Sequence, residues 1–164
     1  MTRVVLVPGT LALLPEYASG SDPVAALRAA CRSAVGWLGA EVEVVADEQG
    51  RRVAEALLAE RADVQPVPER CWLVVANGSA KRTERAPGHL DPRAEDFDAR
   101  LGEALRWADT AALRSLDQDL ATELWAATTT LPRLADLLEG ARTVGVDLDD
   151  APYGVQYWVA RWVA

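Results

Sequence analysis

Residues 3–7, Arg-Val-Val-Leu-Val, are apolar after the first position and end at Pro8-Gly9, which predicts a buried strand feeding a loop. After a polar stretch the period changes. Val24, Leu27, Cys31, Ala34, Val35 and Leu38 recur at three- and four-residue spacing, the signature of a helix with one buried side. Asp22 is a cap for that helix, and Pro23 suits its first position, where a missing N–H costs nothing. Residues 41–46, EVEVVA, alternate as a strand does, with Val42 and Val44 on one face. The stretch RRVAEALLAER reads as a short helix, and VQPVPER as a loop stiffened by two prolines.

Residues 71–76, CWLVVA, are apolar on both faces, as in a strand covered by helices on each side. A long polar loop follows. Asp91-Pro92 then repeats the cap-and-proline signature, before a stripe of Phe97, Leu101, Ala104 and Leu105. Two further helices are predicted, over 113–125 and 131–138, separated by the threonine run ATTTLP. The strand-like RTVGVD, an acidic turn LDDAPYG and a terminal strand VQYWVARWV close the chain. In that last strand Val155, Tyr157, Val159 and Val163 share one face, and Trp158, Ala160 and Trp162 share the other. It is therefore central in a sheet or covered by a second subunit. Strands alternating with helices predict a single α/β domain over residues 1–164, a three-layer α/β/α with a central mixed sheet.

Charge narrows the partners. A net charge of −8 leaves no basic face for nucleic acid or an anionic membrane. Lys81 is the only lysine among seventeen basic residues, a bias that a GC-rich coding sequence explains. Cys31 and Cys71 lie in apolar segments without a C-x-x-C pair, so they read as buried thiols in a reducing cytoplasm. The apolar start is short and broken by Pro8 and Gly9, unlike a membrane span or signal peptide. A cytoplasmic location is the expectation.

The search for chemistry is mostly negative. No phosphate-binding glycine loop and no G-x-S-x-G elbow occurs. A serine–histidine mechanism would have to join Ser79 to His89 across a Pro-Gly turn. Asp96 and Asp98 lie two apart on a predicted helix and read as a solvated face. Asp147, Asp149 and Asp150 lack the later ligands of a calcium loop and read as turn chemistry. The loop after residue 76 stands out. Asn77 and Gly78 tolerate the left-handed backbone that exposes N–H groups to a ligand, and Ser79, Lys81, Arg82, Arg85 and His89 follow. Two readings stay open: a pocket for a small anionic metabolite, or a surface network pairing these bases with Glu84, Glu69 and nearby aspartates.

Three blocks carry a resemblance: VLVPGTLALLPE, VANGSAKRTERAPGHLDPRAEDFDARL and DDAPYGVQYWVARW. Together they resemble the class III extradiol dioxygenase B-subunit-like family, in the superfamily of aromatic ring-opening dioxygenase catalytic subunits. The resemblance implies the α/β/α fold and a site holding non-haem iron through two histidines and a carboxylate, with a further histidine for acid–base work. It also places the first metal histidine at Gly9, and the acid–base histidine near residues 79–82. Glycine has no side chain to bind metal, and His89 is the only histidine in the chain. The expectation is thus a relative with a vacated metal position, no metal, no cofactor and no catalytic residues for ring cleavage, whose ligand candidates are the loop residues named above. Two alternatives are a metal-independent enzyme using Lys81 or His89 as general base, and an assembly protein forming a homodimer through the Trp158–Trp162 strand.

Overall fold

The apolar run after Arg3 lies in β1 (Thr2–Val7), and in the computed structural model, which describes residues 1–18 and 20–164, Val4 to Val7 are all sealed from solvent. β1 is flanked on both sides. β3 (Arg70–Val75) lies parallel to it and β5 (Tyr157–Val163) antiparallel. β2 (Val42–Val45) runs parallel along β3, and β4 (Arg142–Asp150) antiparallel along β5, giving the order β2-β3-β1-β5-β4. The sheet is mixed, as the alternation of elements predicts.

Two separate cores lie on its two faces. Val5, Val7, Leu73 and Val159 pack with α1 (Ala25–Gly36) and α2 (Glu48–Ala59). Val4, Leu6, Val74 and Trp162 pack with α3 (Ala94–Trp107), α4 (Thr110–Arg114), α5 (Gln118–Glu123) and α6 (Leu131–Leu137). Each fully buried leucine or valine contributes about 1.5–3 kcal/mol, so the two helical layers are held mainly by these side chains. The stripe predicted on α1 is buried at all six positions.

The caps act close to where the sequence places them. Asp22 Oδ1 accepts from Val24 N–H at 3.0 Å and Oδ2 from Arg28 Nε at 2.7 Å. The helix itself starts at Ala25, so Pro23 belongs to the turn before it. Arg28 is buried, and it also donates to the carbonyls of Ala12 and Leu13 at 2.7 Å, pinning the opening loop to α1. Asp91 Oδ1 accepts from Arg93 N–H at 2.9 Å ahead of α3.

Three expectations are corrected. The helix predicted over 113–125 is two helices, because Asp117 caps a new start through Leu120 N–H and the chain turns at residues 115–117. Residues 147–150 are strand, not turn: Asp147 grips Arg161 across the β4–β5 pair at 2.7 and 2.8 Å, and the turn is confined to residues 151–154. Trp158 and Trp162 need no second subunit to cover them, because the chain's own α3 side buries both. β5 is apolar on both faces because it is an interior strand. Among the described residues no helix is long and apolar enough to cross a membrane.

Candidate functional site

The turn after β1 and the loop after β3 meet above the ends of these two parallel strands. Gly9 N–H donates to Asn77 Oδ1 at 3.3 Å, and Gly9 C=O accepts from Gln49 Nε2 at 2.8 Å. Asn77 is itself held by two backbone bonds to Ala127, at 3.0 and 3.1 Å. A Cβ on Gly9 would lie 3.1 Å from Val75 Cγ1 and 3.5 Å from the Gly50 Cα, so even a methyl there would press on Val75. Side-chain amides complete the backbone here. The junction is closed.

Past Asn77 the loop dives inward. Gly78 N–H donates to Gln156 C=O, and Gln156 N–H to Ser79 C=O, both at 2.9 Å, so residues 78–79 extend the sheet edge against the start of β5. Ser79 is wholly buried. Its N–H and its hydroxyl both donate to Asp98, at 2.8 Å to Oδ1 and 2.6 Å to Oδ2. Asp98 projects from the inner face of α3 and is only 2 % exposed, which overturns its reading as part of a solvated face. Asp96 does face solvent. Arg82 completes the knot: its Nη1 donates to Gln156 Oε1 at 2.7 Å and lies 3.5 Å from Asp98 Oδ2. Gly78 has to be glycine, because a Cβ there would run into Asp98, Gln156 and the Trp158 ring.

Burial pushes the Asp98 carboxyl above the usual aspartate range, against the opposing pull of the two Ser79 donors and the Arg82 charge. Asp91, at the far end of the same loop, goes the other way. The Arg93 side chain and backbone N–H hold it down at about 2, with a smaller contribution from the Lys81 charge.

The rest of the loop faces outward. Lys81 is half-buried with its Nζ 5.3 Å from the centre of the exposed Trp125 ring, a cation–π contact. Arg85 and His89 are exposed, and His89 sits at φ 64°, a left-handed turn position. The structure therefore divides the seven ligand candidates. It brings Asn77, Gly78, Ser79 and Arg82 into a buried polar junction and leaves Lys81, Arg85 and His89 on the outside. The network pairing predicted with Glu69 does not form, because Glu69 binds Arg3 at 3.2 Å.

Beside Arg82 lies a cleft of about 240 Å³ between α3 and the β4–β5 connection. Asp98, Gly102 and Arg106 of α3 line one wall, Asp149 and Gln156 the other. Gln156 Nε2 donates to Asp149 Oδ1 at 2.8 Å, while Arg106 approaches Asp149 only to 3.6 Å. Neither Lys81 nor His89 reaches this cleft. Four hollows are larger, including one of about 450 Å³ lined by Glu84, Arg85 and Tyr153 and one of about 460 Å³ beside β2 and the start of β3; the other two lie against helices. One of about 530 Å³ is a mainly apolar groove along α3 beside α4 and α5. The other, about 500 Å³ near the C-terminal ends of α1 and α2, is flanked by Arg3 and Arg61, which already donate to the carbonyls of Trp37, Leu38 and Gly39.

Sequence reasoning missed Asp98, although a signal was present: Ala94, Leu101, Gly102 and Leu105 stand four before and three, four and seven after it, so it falls on the buried stripe. Among the described residues no cluster of three His, Cys, Asp or Glu is placed to hold a metal ion. With Gly9 offering no side chain and His89 on the surface, the residues present do not fit the non-haem iron that the resemblance implies. No protein-family model matches the chain, and no curated protein matches it.

Proposed function

We propose that this chain is a non-catalytic relative of the class III extradiol dioxygenase B subunits that binds a small carboxylate-bearing metabolite where Arg82 fronts the cleft along α3. The observation that carries this reading is the closure of the β1 end. Where the resemblance puts a metal-binding histidine, Gly9 has no side chain, both its backbone polar groups are taken by Asn77 and Gln49, and Val75 packs closely against it. A working iron site needs imidazole and carboxylate ligands around open positions for substrate and oxygen, and this junction offers neither. Family membership rests on the three sequence blocks.

The ligand half of the proposal rests on Arg82. A guanidinium has five N–H donors, and the contacts to Gln156 and Asp98 both run through Nη1. That leaves Nε and Nη2 to meet a carboxylate in the fork geometry that arginine favours. The test has two arms. Purified protein given iron(II) and catechol is expected to yield no ring-cleavage product, and isothermal titration with a panel of small carboxylates is expected to find a binder that Arg82→Ala abolishes. Catechol cleavage would overturn the non-catalytic half. A panel in which nothing binds, or in which Arg82→Ala binds as tightly as the parent, would overturn the ligand half.

A further inference from the structure

Arg82 already has a carboxylate beside it. Its Nη1 lies 3.5 Å from Asp98 Oδ2, so an acid docking on Nε and Nη2 shares the guanidinium with a buried aspartate. The wider cleft is no better balanced: Glu95, Asp98 and Glu103 of α3 and Asp149 of β4 border it, against Arg82 and Arg106. Glu95, Glu103 and Asp149 are exposed, where water of high dielectric weakens their repulsion. Asp98 is buried and lacks that relief. A carboxylate ligand on Arg82 therefore meets its strongest like charge at Asp98.

The groups packed around Asp98 decide how it responds. From the loop, Ser79 directs its N–H and hydroxyl at the two carboxylate oxygens, and Arg82 is the one cation in ion-pair range. From α3, Glu95, Glu103 and Arg106 border the same cleft, and from β4 Asp149. The neutral side chains of Gln156 and Trp158 crowd Asp98 at Gly78, where a Cβ would run into all three. Burial already pushes this carboxyl above the usual aspartate range, with Ser79 and Arg82 pulling the other way. An anion arriving on Arg82 weakens one of those pulls and adds a like charge. Both changes favour the protonated form, as when two carboxylates share one site. The Ser79 hydroxyl can accommodate that proton by turning from donor to acceptor.

We infer that a carboxylate entering this cleft binds together with a proton, which Asp98 takes up, so that binding tightens as the solution becomes more acidic. This regulation rests on the preceding assignment of Arg82 as the ligand's partner. Linkage fixes the sign. A ligand that raises the affinity of Asp98 for a proton is itself held more tightly once the proton is there. One proton per ligand is the ceiling, and it allows a gain in affinity of at most roughly tenfold per pH unit.

The experiment is calorimetric titration of the full chain with acetate and benzoate as probes, in pairs of buffers of different ionisation enthalpy, which counts the protons exchanged per ligand. It runs from neutral pH to about pH 5, above the ordinary range of a carboxylic acid, so that the probes stay ionised. The expected result is net proton uptake on binding and an affinity that climbs toward the acid end. Both are expected to vanish in Asp98→Asn, which keeps the shape without a titrating proton. At neutral pH that variant is expected to bind more tightly than the parent, whereas loss of a merely structural residue would weaken binding. Should Asp98→Asn not fold, the ¹³C titration of the Asp98 carboxyl in the parent takes its place, and the midpoint is expected to rise when the probe is bound. Binding that Arg82→Ala abolishes, but with no proton uptake and no change of affinity across the range, would overturn the coupling and leave the carboxylate reading standing. Uptake that persists in Asp98→Asn, or a carboxyl midpoint that stays or falls on binding, would overturn the assignment to Asp98. Absence of binding by both probes would overturn the coupling and the carboxylate reading with it.

Discussion

Two polar junctions sit side by side above the strand ends, and they are built on opposite principles. At the end of β1, backbone groups of Gly9 are satisfied by the amides of Asn77 and Gln49, and Val75 and Gly50 pack closely beside it. At the start of α3, an ionisable group is buried instead. Asp98 takes both donors of Ser79, is faced by Arg82, and borders the cleft along α3. Neutral amides can close a junction completely because nothing charged has to be solvated. A carboxylate needs compensating donors and keeps a route to solvent or ligand beside it. The difference is why the proposed ligand site is set at the charged junction, while the amide-filled one ties the two loops together.

Four results would break or sharpen that contrast, in falling order of effect. Asp98→Ala removes the only acceptor for two buried Ser79 donors and leaves Arg82 unbalanced, so it is expected to cost about 3 kcal/mol, the low end for a broken buried pair because Arg82 is partly solvated. Urea denaturation measures it, and a cost near zero would mean the knot is not a structural unit. Next come paired glycine replacements. Gly50→Ala puts a methyl 2.8 Å from Val75 Cγ1 and is expected to destabilise by about 1–3 kcal/mol. Gly102→Ala puts a methyl 3.1 Å from the buried Trp158 indole, a milder approach that helix propensity offsets by up to about 1 kcal/mol, so it is expected to cost less than Gly50→Ala. A larger cost at Gly102 than at Gly50 would contradict this ordering of the two contacts.

The third result is a matter of pH. Because the folded state raises the Asp98 pKa above its ordinary 3.8, the native protein holds that proton more tightly than the unfolded chain does. Stability from this group is full below 3.8 and declines as pH rises through the folded value. The advantage of the parent over Asp98→Asn is therefore expected to shrink with rising pH across that window. Asp91 gives the opposite sign. Held at about 2, it contributes above 3.8 and loses that contribution as pH falls toward 2, so the parent's advantage over Asp91→Asn grows with rising pH. Urea midpoints across the acid range test both, and parallel trends would contradict the assigned environments. The smallest effects belong to the outer loop. Arg85→Ala and His89→Gly are expected to stay within about 0.5 kcal/mol of the parent in the same urea titrations, since one side chain is exposed and glycine accepts the left-handed φ of the other.

How far the sequence foretold this molecule depends on the range of the interaction. The α1 stripe, the strands at the centre of the sheet and the caps at Asp22 and Asp91 are local patterns, set by residues within a turn or two of one another, and they were legible. The break at Asp117 was also local, but the continuous apolar spacing on either side masked its capping role. The site was not legible in the same way. Asp98 meets Ser79 across nineteen positions and Gly9 meets Asn77 across sixty-eight, and no periodicity reports such pairs. The cluster of bases marked the loop that carries Ser79 and Arg82 to Asp98. It could not say that Arg82 turns inward while Arg85 and His89 stay outside, because that division is made by Gln156 and Gly154, which bind the loop from the other end of the chain.

The most direct measurement is anaerobic titration of the purified protein with iron(II), followed by desalting and elemental analysis. A closed β1 junction and a single surface histidine predict that the metal washes away, leaving far less than one equivalent per chain. One equivalent retained through desalting, and lost when the residues around Gly9 are altered, would contradict the account.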